Sequence, residues 1–315
     1  MTRLLARRFA HAVPLLFLIS ALVFLLIHAA PGGPLEMYLA NPNVRPEDIE
    51  RLRRALGLDR PLWQQYWSWL AEFLKGDWGY SFSDGRPVAS RVLERLPATI
   101  ELMGVSIACA MMLTLPVGVW SAVRRGRWFD RLTTTASMIG ISLPGFWFGL
   151  LLQMIFAIGL GWLPSSGRGT PGVDDLASHL QHLVMPTVVL AFVLAAGWSR
   201  YLRGSMIETI HQPFILAAKA RGVPFGRVIR RHALRNALGP LIAIVTVDAA
   251  LLVSGAVVTE SVFAWPGLGS LFTEALARRD YTVLMALLML SSAAVVVFNV
   301  AADVLHRTLD PRLMM

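Results

Sequence analysis

Residues 283–305 read VLMALLMLSSAAVVVFNVAADVL, a run in which Asp303 is the single charged side chain. A helix needs about 20 mainly apolar residues to cross the hydrocarbon core of a bilayer. This run meets that length, so it predicts a membrane-spanning helix near the C-terminal end of the chain.

Five more stretches have the same apolar character. In chain order they cover about residues 9–30, 99–123, 132–160, 180–198 and 237–259. The third is long enough to tilt or to break at Pro144-Gly145. The first follows a basic start like that of a signal peptide, but its apolar run exceeds the usual signal core of about 7–15 residues. We therefore expect an all-α polytopic membrane protein with six transmembrane helices, the first of them uncleaved.

The composition agrees with a membrane protein. The chain has 315 residues, of which 55% are hydrophobic and 16% are charged, and its mean hydropathy is +0.57. Soluble domains contain about 25% charged residues, so an ordinary soluble enzyme and a disordered chain are both excluded. Cys109 is the single cysteine, which excludes an internal disulfide and a zinc site built from cysteine pairs.

Lysine and arginine are distributed unevenly between the two sides. With the N-terminus in the cytoplasm, the cytoplasmic segments 1–8, 124–131 and 199–236 together carry +13, and the C-terminal end counted from Asp303 is neutral. The opposite segments 31–98, 161–179 and 262–282 together carry −1. Cytoplasmic loops of membrane proteins are enriched in Lys and Arg, so both termini are expected in the cytoplasm. The net charge of +9 then reflects topology and not nucleic-acid binding.

The extracytoplasmic segment 31–98 is too long for a plain connector. Pro46 suits the first turn of a helix that ends near Gly57, and a second helix is expected over 62–74. Trp63, Trp67, Trp69 and Trp78 lie in this region. Tryptophan collects at membrane interfaces, but a small packed cap explains the segment equally simply, and we slightly favour the cap. The whole chain, 1–315, is read as one membrane domain.

The cytoplasmic loop 204–236 has a pattern of its own. Pro213 can occupy the first turn of a helix that covers Phe214 to Arg221, and Gly222 can end it in the left-handed conformation that glycine tolerates. A second helical stretch, 225–236, carries four arginines and leads into the fifth span. The loop is therefore predicted as helix, glycine turn, helix.

Signals of catalysis are absent from the sequence. It contains neither the phosphate-binding G-x-x-x-x-G-K-[ST] loop nor H-E-x-x-H, so ATP binding of that kind and zinc-protease chemistry are not expected. His179 and His182 are close in sequence, but we interpret them as interfacial side chains and predict no metal site.

Asp248 lies near the middle of the fifth span, where a carboxyl group costs roughly 2.5–3.5 kcal/mol. It should face protein or water. It either lines a solute path or is hydrogen-bonded to a neighbouring helix or protonated, and the sequence leaves both open. Glu101 and Glu260 are placed near the outer interface, where they can reach the water between lipid headgroups.

An ordered set of motifs resembles a known family. Residues 216–222 read LAAKARG, similar to a cytoplasmic Glu-Ala-Ala-xxx-Gly motif, with Leu216 in place of the Glu. The other matching motifs are Arg7-Arg8, LGLDRP (56–61), GDWG (76–79), RLPAT (95–99), LPGFW (143–147), HALRNALGP (232–240), ESVFAWPGLG (260–269), RDY (279–281) and DPR (310–312). Together they resemble the B-type permease subunit of bacterial ABC importers in the dipeptide, oligopeptide and nickel branch.

The resemblance implies a type I ABC importer fold in the bacterial inner membrane. It implies a pore formed with a second, C-type permease subunit, two ABC ATPase subunits that bind ATP and Mg²⁺, and an extracytoplasmic solute-binding protein. The chain itself would then contact membrane lipid, bind no cofactor or nucleic acid, and be no enzyme. Its expected role is to form half of a translocation path for dipeptides or oligopeptides.

The resemblance also assigns candidate site residues. The residues expected to couple the chain to an ATPase subunit are Phe214, Leu216, Ala217, Ala218, Arg221 and Gly222, of which the small ones would allow close approach. Asp248 is the candidate in the translocation path. Location, size and aromatic content make Trp67, Trp265, Pro266 and Gly267 candidates for the surface that meets the solute-binding protein and for the outer gate.

Other functions stay open at this point. Import of nickel or another small solute is the first alternative, and an ion-coupled secondary transporter with Asp248 as the coupling group is the second. A channel would show charged rings or glycine-carbonyl repeats, and a membrane-embedded enzyme would need a catalytic constellation within the spans. The sequence shows neither.

Overall fold

The computed structural model describes residues 2–29, 59–172, 175–253 and 256–309, together with five single residues between 45 and 54. The helices in these ranges are α1 (Thr2–Ala29), α2 (Leu62–Lys75), α3 (Val88–Val123), α4 (Trp128–Ser142), α5 (Gly145–Leu152), α6 (Leu176–Ile210), α7 (Pro213–Ala220), α8 (Phe225–Arg227), α9 (Leu234–Val253), α10 (Val257–Val262), α11 (Leu268–Ala277) and α12 (Tyr281–Leu309). Two π-helical segments, Gln153–Gly159 and Val228–Ala233, extend α5 and join α8 to α9.

Five helical units in the described ranges are long and apolar enough to cross a membrane. They are α1, α3, α6, the unit Phe225–Leu252 and α12. The pair α4 and α5 has the same composition but is bent by 100°, and it makes a sixth span if counted as one unit. The expected all-α membrane architecture is confirmed, and most described residues of each predicted apolar stretch are helical.

The third span breaks where the sequence suggested. Leu143 and Pro144 have ψ angles of 124° and 125°, so both leave the helical region between α4 and α5. Proline removes a backbone donor and disfavours helical geometry in the residue before it. The third apolar stretch is therefore not a straight transmembrane helix.

Other boundaries differ from the sequence prediction. The fifth span ends at Val253, and Thr259 belongs to the separate helix α10, because Ala256 has a non-helical ψ of 62°. Helix α6 continues to Ile210, so residues 204–210 of the predicted cytoplasmic loop are the last turns of a 35-residue helix. Such a helix is about 52 Å long, and it extends well beyond a bilayer core.

The main core lies between α3, α6 and α9. Trp198, Leu202 and Met206 of α6 are almost completely buried in it, together with residues of α7 and of the second π segment. Gly118 of α3 approaches α6 so closely that an added Cβ would lie 2.9 Å from Leu202 Cβ. Packing of this core joins the membrane helices to the loop that follows α6.

The predicted helix over 62–74 is confirmed as α2. Its Tyr66 side chain packs with Val23 and Phe24 of α1 and Met285 of α12. For the predicted helix near 46–56, Glu47, Glu50, Arg51 and Arg54 are helical, and its other residues lie outside the described ranges. The segment between the first two spans thus contributes a packed element to the bundle.

Candidate coupling loop and translocation residues

The loop after α6 forms a short helix that ends at a glycine. Pro213 opens α7, as predicted, and Gly222 adopts a φ of +75°. The Val223 N–H donates to the Ala218 carbonyl at 3.2 Å, and the Gly222 N–H donates to the Lys219 carbonyl at 2.9 Å. Glycine adopts this left-handed geometry without the strain that a Cβ brings. The chain then turns at Pro224 into α8.

Helix α7 has an inner and an outer face. Ile215 and Ala218, one turn apart, are buried in the main core. The exposed side carries the other predicted coupling residues, Phe214, Leu216, Ala217, Arg221 and Gly222. The prediction that Ala218 is available for close approach by a partner is wrong, because its i, i+3 spacing from Ile215 directs it into the chain's own core.

The exposed part of the loop is apolar and basic. Leu216 and Phe225 are more than half exposed, and Arg227, Arg230, Arg231 and Arg235 line the following segment on its solvent side. The Lys219 ammonium lies 5.8 Å from the Phe225 ring centroid. The exposed surface of this loop is therefore both apolar and basic, and the opposite face of α7 is packed in the chain's own core.

A buried ion pair fixes the bundle at the same end. Asp130 accepts two hydrogen bonds from the Arg203 guanidinium, at 2.5 and 2.9 Å, and is 4% exposed. The Ser121 hydroxyl and the Gly126 N–H donate to the same carboxylate at 2.5 and 2.8 Å. The cluster joins α3, α4 and α6. In the sequence analysis, Asp130 and Arg203 were treated only as charges of cytoplasmic loops, and their ion pair was not predicted.

Asp248 is half-buried on α9 and is held by α6. The Trp198 indole N–H donates to Asp248 Oδ2 at 2.7 Å. The sequence left open whether Asp248 lines a solute path or is hydrogen-bonded to a neighbouring helix, and this bond is of the second kind. The bond ties α6 to α9, the two helices that flank α7 and the π segment.

At the opposite end, Trp265 is completely buried. Its indole N–H donates to the Ala98 carbonyl at 2.8 Å, and the Arg168 guanidinium lies 5.9 Å from its ring centroid. Gly267 is also buried and Pro266 is partly exposed. The prediction that Trp265 and Gly267 form a docking surface for a separate protein is wrong in this conformation, because tight packing against α3 covers both.

Glu260 explains why this turn is so tightly packed. Its carboxylate is fully buried and accepts from the Thr99 hydroxyl at 2.9 Å and from the Ser270 N–H at 3.0 Å. It touches Gly267, where a Cβ would collide with it. Burial raises the pKa of the Glu260 carboxyl, and the surrounding donors oppose that rise. The prediction that Glu260 reaches headgroup water is wrong.

Glu101 contacts an arginine and a histidine. Arg168 Nη2 lies 2.7 Å from its Oε2, and His179 Nε2 contacts its Oε1. His179 Nδ1 lies 2.8 Å from the Arg168 carbonyl oxygen. Both ring nitrogens therefore face oxygen acceptors. In the described part of the chain, no group of three or more His, Cys, Asp or Glu side chains could hold a metal ion.

Another buried acid anchors the region before α3. Asp280 is completely buried, accepts from the Ser81 hydroxyl at 2.5 Å and from the Phe82 N–H at 3.2 Å, and lies 3.6 Å from the Arg91 guanidinium. It fastens the turn after α2 to the start of α12. Trp67, by contrast, is exposed on α2 and its ring lies 5.7 Å from that of Phe17 in α1.

Comparisons with known proteins agree with this architecture. Residues 114–315 match the family model "Binding-protein-dependent transport system inner membrane component", and residues 1–103 match the model of the N-terminal part of such membrane components. The oligopeptide transport system permease protein AppB of Bacillus subtilis (strain 168) is 39% identical over 315 residues, which cover 99% of each chain. The glutathione transport system permease protein GsiC of Escherichia coli (strain K12) is 36% identical, over 97% of this chain and 96% of the relative.

A solved structure shows the same fold. A chain of the MetNI methionine ABC transporter, in an inward-facing conformation, matches with a TM-score of 0.58 and 22% identity, over 70% of this chain and 96% of that chain. The chain therefore belongs to the family of inner-membrane components of binding-protein-dependent transport systems, and it is a multi-pass permease subunit of an ABC importer that works in a complex with ATPase subunits.

Proposed function

We propose that this permease imports peptides and forms half of their translocation path. The names of the oligopeptide and glutathione permeases that it resembles over nearly its whole length support this substrate class. Asp248 is the residue we assign to the path, because it is the half-buried acid of α9 and its Trp198 bond links it to α6. A carboxyl group in that position suits the amino group of a peptide.

The coupling element in this proposal is α7 with Gly222. The observation that carries it is the exposed apolar and basic face of a short helix whose other face is locked into the membrane core. An ATPase subunit binds the exposed residues Phe214, Leu216, Ala217 and Arg221. When that subunit moves, it shifts the π segment Val228–Ala233 and α9 together. Spans three to five then rock between two arrangements around the central path.

The complete transporter in this proposal contains this chain and four other polypeptides. A C-type permease subunit completes the pore, two ABC ATPase subunits bind ATP and Mg²⁺, and a solute-binding protein delivers the peptide. This chain binds no cofactor and catalyses no reaction, which is supported by the absence of a phosphate-binding loop from its sequence. Both termini and α7 lie in the cytoplasm, on the side with the +13 charge excess.

We assign Trp265, Pro266 and Gly267 to the outer gate. Trp265 is fully buried against α3, so this turn closes the outer end of the bundle and must shift when the path opens outward. Trp67 is not included, because its contact with Phe17 places it beside the first span.

The coupling proposal is tested with Leu216→Asp in the complete transporter, reconstituted in lipid. We expect loss of co-purifying ATPase subunits and of peptide-stimulated ATP hydrolysis, because a carboxylate would be placed in an apolar contact. Arg125→Asp is the matched control, since Arg125 is exposed on the neighbouring loop at the same end. Full coupling in Leu216→Asp would contradict the assignment of α7.

The substrate class is tested separately by uptake into vesicles that contain ATP. A labelled dipeptide or oligopeptide should enter in an ATP-dependent manner, whereas nickel ions should not compete. Uptake driven by an ion gradient without ATP would instead favour the secondary-transporter alternative.

A further inference from the structure

Helix α2 has three chemically different faces. Its inner face, centred on Tyr66, is buried on α1 and α12. On one flank, Trp63, Trp67 and Leu74 follow helical spacing and are 53–77% exposed. On the other flank, Ser68, Glu72 and Lys75 present polar groups. We call the Trp63, Trp67 and Leu74 flank the apolar flank.

The contacts of α2 determine its depth. The Trp67 ring lies 5.7 Å from that of Phe17, and the Tyr66 hydroxyl lies 2.7 Å from Ser20 Oγ. Both α1 residues belong to the apolar span Ala10–Ala29. At 1.5 Å per residue, Phe17 lies about 10 Å along the axis from Ala10 and about 18 Å from Ala29. Trp67 is therefore level with hydrocarbon, whichever way α1 is oriented.

Charges are confined to the ends of this element. Residues 61–71 carry none, whereas Asp59 and Arg60 precede α2 and the paired Glu72 and Lys75 lie in its last turn. A charged side chain inside the bilayer is costly, so a segment that faces acyl chains must keep its charges at its ends. The uncharged run 61–71 of α2 meets that condition.

Lipid is a better occupant of the apolar flank than protein. A soluble protein docked outside the membrane would have to cross headgroups to reach Trp67. A second membrane subunit would be expected to meet small residues, which helix contacts inside membranes favour. The exposed side chains of α1 around the level of Trp67 are instead large, namely Phe17, Leu18 and Leu22.

We propose that α2 is a membrane anchor whose apolar flank contacts the acyl chains of bilayer phospholipids beside α1. The anchor holds the segment before α3 at a fixed depth, and the buried Asp280 cluster passes that constraint on to α12. It leaves the polar flank of Ser68, Glu72 and Lys75 for water or for a soluble partner. This inference is independent of the peptide substrate.

The test uses spin labels on single cysteines in the assembled transporter, held in phospholipid nanodiscs. Cys109→Ser removes the native cysteine. Trp63→Cys and Leu74→Cys then place labels on the apolar flank, and Ser68→Cys places a matched label on the polar flank of the same helix. Collision rates with oxygen, which dissolves in lipid, are compared with those of a water-soluble nickel chelate.

We expect oxygen to dominate at positions 63 and 74, and the nickel chelate to dominate at position 68. Leu74→Cys carries the test if Trp63→Cys does not assemble. Dominance of the chelate at 63 and 74 would overturn the proposal, because the flank would then face water. Low collision rates with both reagents would overturn it as well, since a protein would then cover the flank.

Discussion

Glu260 is a single residue that organises one end of the bundle. Its carboxylate accepts from the Thr99 hydroxyl of α3 and from the Ser270 N–H of α11, and Thr99 in turn accepts from the Leu268 N–H. Buried donors that lose their acceptor cost about 1–3 kcal/mol each. The tight turn around Trp265 therefore depends on this one acid.

We predict that Glu260→Ala lowers the stability of the protein by about 3 kcal/mol or more, because it orphans buried donors and leaves a cavity. Glu260→Gln should cost less, since it keeps the shape and one acceptor oxygen and removes a charge that burial disfavours. Thermal unfolding of the purified protein measures both. Glu72→Gln, which breaks an exposed pair with Lys75, should change stability by less than about 1 kcal/mol. Equal losses of stability in Glu260→Ala and Glu72→Gln would contradict the role of Glu260 in holding the turn around Trp265.

At the scale of elements, the turn after α7 makes a clear prediction about Gly222. An added Cβ would meet no other atom within 4 Å, but the φ of +75° strains any residue other than glycine. That strain costs about 1–2 kcal/mol, so Gly222→Ala should loosen the end of α7. Trypsin should then cleave at Lys219 and Arg221 roughly five- to thirtyfold faster, the factor by which such an energy shifts a local equilibrium.

Gly226→Ala is the matched control for this experiment. Gly226 also has open space around its Cα, but its φ is not positive. Its replacement should leave cleavage in α7 unchanged. Equal effects of the two replacements would show that the loop responds to any added methyl group and not to backbone strain.

The sequence predicted elements better than it predicted their partners. Apolar length located every span, Pro144 marked the break between α4 and α5, and Pro213 with Gly222 delimited α7 almost to the residue. These signals are local, because they depend on backbone chemistry within a few residues. The bonds of Glu260 to Thr99 and of Asp280 to Ser81 join residues 161 and 199 positions apart. No local pattern indicates such pairs, so neither bond was predicted. For the same reason Trp265 was predicted to lie on a surface.

Across the whole molecule, local sequence patterns likewise predict where a helix lies better than they predict which of its faces is buried. The loop pattern predicted α7, but it did not reveal that Ala218 points into the core while Ala217 points out. That distinction depends on how α7 packs against α6 and α9, which is decided by tertiary contacts. The distribution of charge between the two sides, by contrast, can be counted from the sequence. It predicts the orientation of the entire chain.

We predict the orientation of the chain from the difference between +13 on one side and −1 on the other, because positively charged loops of membrane proteins remain in the cytoplasm. We predict that, in a Cys109→Ser background, a membrane-impermeant maleimide labels Lys75→Cys in intact spheroplasts. Arg125→Cys and Lys219→Cys, which are equally exposed, should be labelled only after lysis. The three positions sample α2, the loop before α4 and α7, so a single experiment places both ends of the bundle. Labelling of Lys219→Cys in intact spheroplasts would put α7 outside the cell, where no ATPase subunit could reach it.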